Sequence, residues 1–514
     1  MSELTAPHVP DVAQDVALAR LGRSGVVSAR RLEAAPRRDG IVDMDALLAA
    51  LGPSDLLESA DRSGWSFLVP HDLSLGMLRD DGSCTCLHLP DGTVHALGTD
   101  PLAALDAVAH RLGLDPCAPP EPGLSMPFRG GLVGALAYEL GDRILPHLPR
   151  RPRPEGRPDL LLRIVGTVVA VSRERDQALV VVDEGIQGRA AADLHAELEA
   201  RCRSTRPDAA PSVRADGDTT TVTPSTVTTS LPSDEHVAAV RTILDVIARG
   251  DAYQVNLAQQ LTAPFRGDLV ELYRRMRAAS PASHAALLPE AGLASISPER
   301  FLEVTAGTVT TDPIKGTRRR ADDPELDAAL ADDLVTSVKD RAENIMVVDL
   351  ERNDLGRVCL PGSVHVPTLL ELRALPTVWH LVSRVRGTLR PGTTYGELLA
   401  ATFPSGSVTG APRLAAMRTI RALEPSPRGW YCGAVGWLGR GSASLSVAIR
   451  TATLHDGVAE YGAGGGIVAD SDPADEVAES LDKAVAFLTA VGATHTAGRA
   501  TARTATPTAA RTQA

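Results

Sequence analysis

Apolar and polar positions along the chain fall into two kinds of pattern. From Ile41 to Gln187, WSFLVP, GGLVGALAYEL, LLLRIVGTVVAVS and ALVVVDE are short apolar runs bounded by Gly, Pro and Asp, and they predict strands. PLAALDAVAHRLGL and RAAADLHAELEARC space their apolar residues at the helical period and predict helices. Residues 1–40 are rich in Arg and Ala without a period, which predicts partial disorder. Residues 204–232, a Thr/Ser/Pro/Asp-rich stretch, predict a linker between an N-terminal part, 41–203, and a larger C-terminal part, 233–492. Residues 493–514 are low-complexity and predict a disordered tail.

In the C-terminal part, Ser233 is placed to cap a helix with the stripe Val237, Val240, Leu244 and Ile247. YQVNLAQQLTAPF alternates like a strand, and SISPERFLEV and TVTTD follow as two more. Pro324 behind Asp323 opens a long helix, with Leu326, Leu330, Leu334, Val338 and Ile345 on one stripe. SVHVPTLLEL and VWHLVSRVRGTL predict strands, Tyr395 to Thr402 a helix, and PSGSVTGAPR a turn. WYCGAVGWLG, ASLSVAIRTATL and GVAEYGAGGGIVAD then predict successive antiparallel strands. A last helix runs from Pro473 to near Val491, with Val477, Leu481, Ala484 and Leu488 toward the core. The whole is a mixed α/β (α+β) pattern.

Composition narrows the class. A chain of 514 residues with 44% apolar and 23% charged residues suits two or three soluble globular domains. Aromatics are only 3%, so Ala, Val and Leu carry the packing. A net charge of −12 argues against a nucleic-acid or anionic-membrane partner, but leaves room for a small anion in a locally basic pocket. Cys84 and Cys86 form a C-x-C with no answering pair, so neither a zinc site nor a disulfide framework is expected. MSELTAPHVPDV lacks a basic start and apolar run, and LLLRIVGTVVAVS is broken by Arg163 and too short to span a bilayer. The expectation is a cytoplasmic protein without a membrane segment.

Candidate chemistry gathers between Asp312 and Asp354 and again near the end. Lys315 in PIKGT is a lone amine beside Gly316, which lets a substrate come close; a desolvated lysine can act as a nucleophile. Arg318, Arg319 and Arg320 read as a solvated basic run. Asp340 and Glu343 share one helix face, as do Glu476, Glu479 and Lys483. Alone, each is an ordinary solvated helix face. Together, two carboxylate pairs could meet at one hard cation such as Mg²⁺, which takes oxygen ligands. GAGGG, Gly462 to Gly466, gathers side-chain-free amides at a turn, where backbone N–H groups bind a carboxylate. Glu299 follows an apolar strand and suits a proton donor. His380 lies mid-strand among apolar residues, where packing is the commoner role. Arg450 alternates inward with Ala448 and needs an anion. Thr409 offers a hydroxyl on a turn.

Each piece is weak alone; their order is specific. SPERF, PIKGT, KDRAENxMxVDLxRND, HLVS, GSxTGAP, the IRT strand, GAGGGIVADS and the ExxESLDK helix resemble, in sequence, the chorismate-utilising enzymes. The resemblance covers about residues 233 to 491, with a fainter match in LLES, Leu56 to Ser59, and FRGGLVGALAYELG. It implies a large two-part fold like that of anthranilate synthase component I, with stacked antiparallel sheets and outer helices, and a cleft for chorismate and Mg²⁺.

Carried over by motif, Glu343 and Glu479 resemble direct Mg²⁺ ligands, with Asp340 and Glu476 behind them. Thr409, Tyr431, Arg450, Gly464, Gly465, Gly466 and Lys483 resemble the groups around the substrate's carboxylates. In the water-using isochorismate and salicylate synthases a lysine stands where Gln254 stands here, and glutamine cannot deprotonate water. Anthranilate synthases usually carry alanine at the place of Lys315, whereas lysine there marks the aminodeoxychorismate synthases. The resemblance therefore implies amination of chorismate to 4-amino-4-deoxychorismate, for 4-aminobenzoate and folate or a secondary metabolite. Lys315 would be the nucleophile and Glu299 the acid, with His380 shaping the ring site. No cysteine sits in a glutaminase-like turn, so a separate glutamine amidotransferase subunit is implied. Arg413 replaces a usual lysine and Ser405 a usual glycine. Ser59, in LLES, resembles part of a tryptophan-binding segment. Anthranilate synthase component I remains the rival activity, and a non-catalytic member binding an anion or a partner remains the rival class.

Overall fold

The computed structural model describes residues 18–493 apart from 63, 120–125, 146–147, 149–150, 152–153, 155, 205–225 and 376–377. The expected tail from 494 on, most of the expected linker, and residues 1–17 of the expected disordered start therefore lie outside the described residues. Two large sheets, each of twelve strands and antiparallel in every pairing, form the frame. One runs from Val27–Arg31 through Gln177–Asp183, Thr167–Ser172, Trp65–Pro70, Ser54–Glu58, His284–Leu288, Leu293–Ser297, Thr451–His455 and Val458–Ile467 to Gln254–Pro264 and Thr228–Thr229. The other runs from Ile314–Arg319 through Val378–Thr388, Thr308–Thr311, Arg300–Thr305, Ser442–Val447, Ala434–Gly439, Gly131–Leu136 and Leu160–Val165 to three edge strands. Both sheets draw strands from either side of residues 204–232, so the two parts of the sequence are joined by backbone pairing. The strand Val27–Arg31 falls in the stretch expected to be partly disordered, yet it pairs along its length with Gln177–Asp183.

Burial explains the layering. Phe67, Val168, Ala170 and Ala286 of the first sheet pack on Val133, Leu161, Val435 and Trp437 of the second, forming the core between them. Phe128 stacks on Trp437 with ring centroids 4.8 Å apart. The outer face of the first sheet is covered by the helices Met44–Leu51, Ala191–Ser204 and Leu269–Ala279. The outer face of the second is covered by Pro101–Leu112, Tyr395–Thr402 and part of Val338–Gly356. The result is helix, sheet, sheet, helix, as the stacked-sheet expectation required.

Several sequence expectations are corrected in detail. LLLRIVGTVVAVS is two strands that leave one sheet for the other at Gly166, and SISPERFLEV divides in the same way at Pro298–Glu299. ASLSVAIRTATL divides at Ala448–Arg450. Ser233 does not cap its helix; the cap position is Pro232, and the buried stripe is His236, Ala239, Val240 and Ile243. The long helix after Pro324 breaks at Ser337, whose hydroxyl accepts the Asp340 N–H at 3.2 Å and caps a new helix, Val338–Gly356. The apolar stripe expected there holds only in its middle: Leu334 is fully buried and Leu330 half-buried, but Leu326 and Ile345 are exposed, and Val338 is 82% exposed. The inward face of Val338–Gly356 mixes Val347, Val348 and Leu355 with the polar Asn344, Glu351 and Asp354. Asn344 donates to Leu381 O at 3.1 Å and accepts from Ser383 at 2.5 Å. The last helix also breaks, at Ala484, and its first half turns Glu476 and Ser480 inward, not Val477 and Leu481.

Candidate active site

The site lies where the edge strand Ile314–Arg319 of one sheet comes near the ends of Gln254–Pro264 and Val458–Ile467 of the other. Lys315 is half-buried, and its Nζ donates to Ser407 O at 3.2 Å. Gly316 after it has φ +82°, and a Cβ there would stand 2.7 Å from Leu334 and 3.0 Å from Asp340. That close approach brings the strand against the carboxylate helix Val338–Gly356. Gly466 faces the amine: a Cβ there would stand 2.5 Å from Gln254 Nε2 and 3.5 Å from Lys315 Nζ. Gln254 is fully buried, and neither of its amide atoms has a hydrogen-bond partner. Such a group costs free energy unless something else enters to pair with it.

Two of the sheet-to-sheet crossovers carry site residues. Glu299 follows Pro298 at one, with its N–H on Ser297 Oγ at 3.2 Å and its carbonyl accepting from Val447 N at 3.1 Å. Its buried carboxyl accepts from the Ser407 hydroxyl and the Ile314 N–H. Burial raises its pKa above the usual carboxylate value, against the lowering pull of Ser407 and Lys315. Arg450 lies at another crossover with φ +50°, so it is not an inward-alternating strand residue as expected. Its Nη1 donates to Ser280 Oγ at 3.1 Å. His380 is buried with Nδ1 3.0 Å from Thr317 Oγ1, while Nε2 has no partner. Burial, reinforced by the Arg450 charge, lowers its pKa to about 4, so the ring is neutral at pH 7. Thr409 is fully buried, and its hydroxyl donates to Ser405 O at 3.0 Å. The turn around it is zipped onto the Gln254 strand, with Asn256 N–H on Thr409 O at 2.9 Å. The ring of Tyr431 fills the space left by Gly462, where a Cβ would stand 2.1 Å from it.

The carboxylates stand at the other end. GAGGG is part of the strand Val458–Ile467 and not a turn, and Asn256 and Ala258, opposite Gly466 and Gly464, send their own N–H groups to Thr409 O and Glu424 rather than across the pair. Gly465 looks toward the last helix, where a Cβ would stand 3.2 Å from Glu476, 3.5 Å from Lys483 and 3.7 Å from Glu479. Lys483 Nζ pairs with Glu479 at 2.8 Å and donates to Gly464 O at 2.9 Å. Glu476 is buried and pairs with Lys339 at 3.4 Å. Asp340 pairs with Arg318 at 3.0 Å. The arginine run is thus not simply solvated: Arg318 also pairs with Asp333, and Arg320 with Asp327. Glu343 accepts no hydrogen bond or ion pair from a described residue. Burial and the like charges of Asp340 and Glu479 raise its pKa, offset by Lys315 and Lys339. Glu479 is lowered, chiefly by Lys483. Among the described residues, no three His, Cys, Asp or Glu side chains meet at chelating distance. The charges of Glu479 and Lys315 both act on Glu343, and Lys315 also acts on Glu479.

Sequence reasoning missed Ser407, which meets both Lys315 and Glu299, and Lys339, which faces Glu476. Both lie inside the motifs that carried the resemblance, where only distance could single them out. Arg413 is anchored in the core by Asp354 and the carbonyls of Ala401 and Thr402. Ser59 is buried, its Oγ on Asp61 at 2.8 Å, in a second cleft of about 420 Å³ shared with Trp65, His284 and Arg300.

Stacked antiparallel sheets with a lysine, a buried glutamate and facing carboxylate helices define the class. The chain belongs to the chorismate-binding enzymes: the family described as "chorismate binding enzyme" matches residues 88–489. Among individual relatives, it is 40% identical to aminodeoxychorismate synthase component 1 of Klebsiella aerogenes, over 76% of this chain and 83% of that one. It is 37% identical to anthranilate synthase component 1 of Streptomyces coelicolor, over 77% and 78%. The crystal structure of anthranilate synthase component I from Streptococcus pneumoniae TIGR4 superposes with a TM-score of 0.68 at 29% identity, covering 83% of this chain and 92% of that one. Among the described residues, no helix is long and apolar enough to cross a membrane.

Proposed function

We propose that this protein is an aminodeoxychorismate synthase component I, converting chorismate and ammonia to 4-amino-4-deoxychorismate and water in the cytoplasm. The observation that carries the reading is the amine of Lys315 beside Gln254, whose amide is buried without a partner, with Ser407 bridging to Glu299. The overall identities to the two kinds of relative differ by little, so the residue at 315 decides between them.

Lys315 Nζ attacks C2 of chorismate while the Glu299 carboxyl, whose pKa burial raises, gives its proton to the departing C4 hydroxyl. The ring double bond shifts and water leaves. Ammonia then adds at C4, the double bond shifts back, and the lysine is expelled as the amine. The Glu299 carboxylate takes the surplus proton from the new nitrogen and is ready for the next turnover. Gln254 cannot activate water, which favours ammonia as the nucleophile. His380, neutral at pH 7, shapes the ring site and holds no proton in reserve. Arg450, Tyr431, Thr409, Lys483 and the backbone at Gly464, Gly465 and Gly466 hold the substrate's carboxylates.

Glu343 and Glu479 would hold Mg²⁺ directly, with Asp340 and Glu476 behind them. The ion would neutralise the ring carboxylate of the substrate. Glu343, half-buried and unpaired, fits that duty.

The ammonia is assigned to a separate glutamine amidotransferase subunit. Burial pushes the thiol of Cys359 up to about 11 and that of Cys432 up to about 12, the wrong direction for a glutaminase nucleophile. Ser59 enters this reading as a contact for tryptophan in the second cleft. Incubating the protein with chorismate, Mg²⁺ and ammonium, with product identification, tests the whole. The expected product gives 4-aminobenzoate once a lyase is added. Fluorescent anthranilate without a lyase would make the protein an anthranilate synthase, and unconsumed chorismate would make it a non-catalytic member.

A further inference from the structure

The strand Gln254–Pro264 carries a second buried amide that the reading above leaves without a task. Asn256 lies two residues beyond Gln254, on the same strand face, and is 6% exposed. Its backbone is fully used: the N–H donates to Thr409 O at 2.9 Å, and the carbonyl accepts from Arg428 at 2.8 Å. Its Oδ1 is buried and accepts nothing. Directly opposite in the register is Gly466, where a Cβ would stand 2.5 Å from Gln254 Nε2 and 3.5 Å from Lys315 Nζ. One step further along the strands, Ala258, Arg428, Tyr431 and Gly462 line a small cleft whose lining also includes Arg157 and Glu460, an ion pair.

A buried acceptor facing a reaction site calls for a donor in the reactants. Ionised chorismate is nearly all acceptor: two carboxylates, an enol ether and a single hydroxyl at C4. The other donor is ammonia, and it takes that hydroxyl's place on the same carbon. We propose that Asn256 forms the ammonia-binding subsite, its Oδ1 accepting an N–H and so turning the nitrogen lone pair toward C4. This rests on the aminating function proposed above.

The test is the KM for ammonium at saturating chorismate and Mg²⁺. Asn256→Leu should raise it about tenfold, the worth of one buried hydrogen bond. The KM for chorismate should not move, and the Lys315 adduct formed without ammonium should still be seen by mass spectrometry. Asn256→Asp, which keeps an acceptor, should stay within about threefold of wild type on the same scale. If the Leu variant does not fold, Asn256→Ala, which likewise removes the acceptor, reads the same constant. An unchanged ammonium KM in the Leu or Ala variant, or an equal rise in chorismate KM, overturns the inference alone. No aminated product from the wild-type protein would overturn it together with the function on which it rests.

Discussion

The two ends of the cleft are built on opposite plans. At the amine end, Lys315, Glu299, Gln254 and Asn256 stand on strands or at a sheet-to-sheet crossover, where backbone pairing fixes them. There, buried atoms of Gln254, Asn256 and His380 lack partners. At the carboxylate end, Asp340, Glu343, Glu476 and Glu479 stand on helices, and three of the four are already answered by Arg318, Lys339 or Lys483. The first end carries unmet hydrogen-bonding capacity and is shaped for a neutral reaction partner. The second carries balanced charge, and an arriving cation must compete with the protein's own lysines. Buried amides without partners cost stability, so they mark a place that substrate completes; ion pairs with a partly exposed partner, such as Lys339 or Lys483, contribute little and can be exchanged.

Variants at either end can break or sharpen that contrast. The largest effect is expected from Lys315→Ala, which should lower aminodeoxychorismate formation at least about a thousandfold and abolish the covalent adduct in mass spectra. Unchanged output would remove the amine end from the chemistry. Next, Glu299→Gln should cost about a hundred- to ten-thousandfold in kcat. Burial raises this carboxyl's pKa, and the protonated form is the acid. Wild-type activity should therefore fall as pH rises through that raised value, and the limb should vanish in the Gln variant. A limb that persists would assign it to another group.

At the carboxylate end, Glu343→Gln should raise the half-saturating Mg²⁺ concentration about tenfold or more, with chorismate turnover as the readout. An unmoved titration would place the cation elsewhere. The smallest effect belongs to Lys339→Met. Removing the ammonium that faces Glu476 should lower the half-saturating Mg²⁺ about two- to threefold, as expected for a partly exposed pair. A weaker Mg²⁺ response would mean that Lys339 supports the site and does not compete for it.

Motif order alone predicted one site shared by Lys315, Glu299, Glu343 and Glu479, because the residue types and their order match the motifs of the chorismate-utilising enzymes. The helices Pro101–Leu112 and Tyr395–Thr402 and most strands were likewise legible from local period, since each buries one continuous face. The stripe through Leu326, Val338 and Ile345 misled because the helix Val338–Gly356 turns hydrogen-bonded polar residues inward, which a count of apolar positions cannot register. LLLRIVGTVVAVS reads as a single strand because the chain stays buried throughout as it changes sheets, and ASLSVAIRTATL because its apolar alternation continues across the half-buried Ile449–Arg450 bend. Sequence determined which groups this protein owns and the local elements that carry them. Only the tertiary structure decided that Arg450 sits at a bend, that Asn256 faces Gly466, and that Lys339 stands against Glu476. Those facts depend on the pairing of strands and helices far apart in the chain, and through-space distance has no trace in a linear pattern.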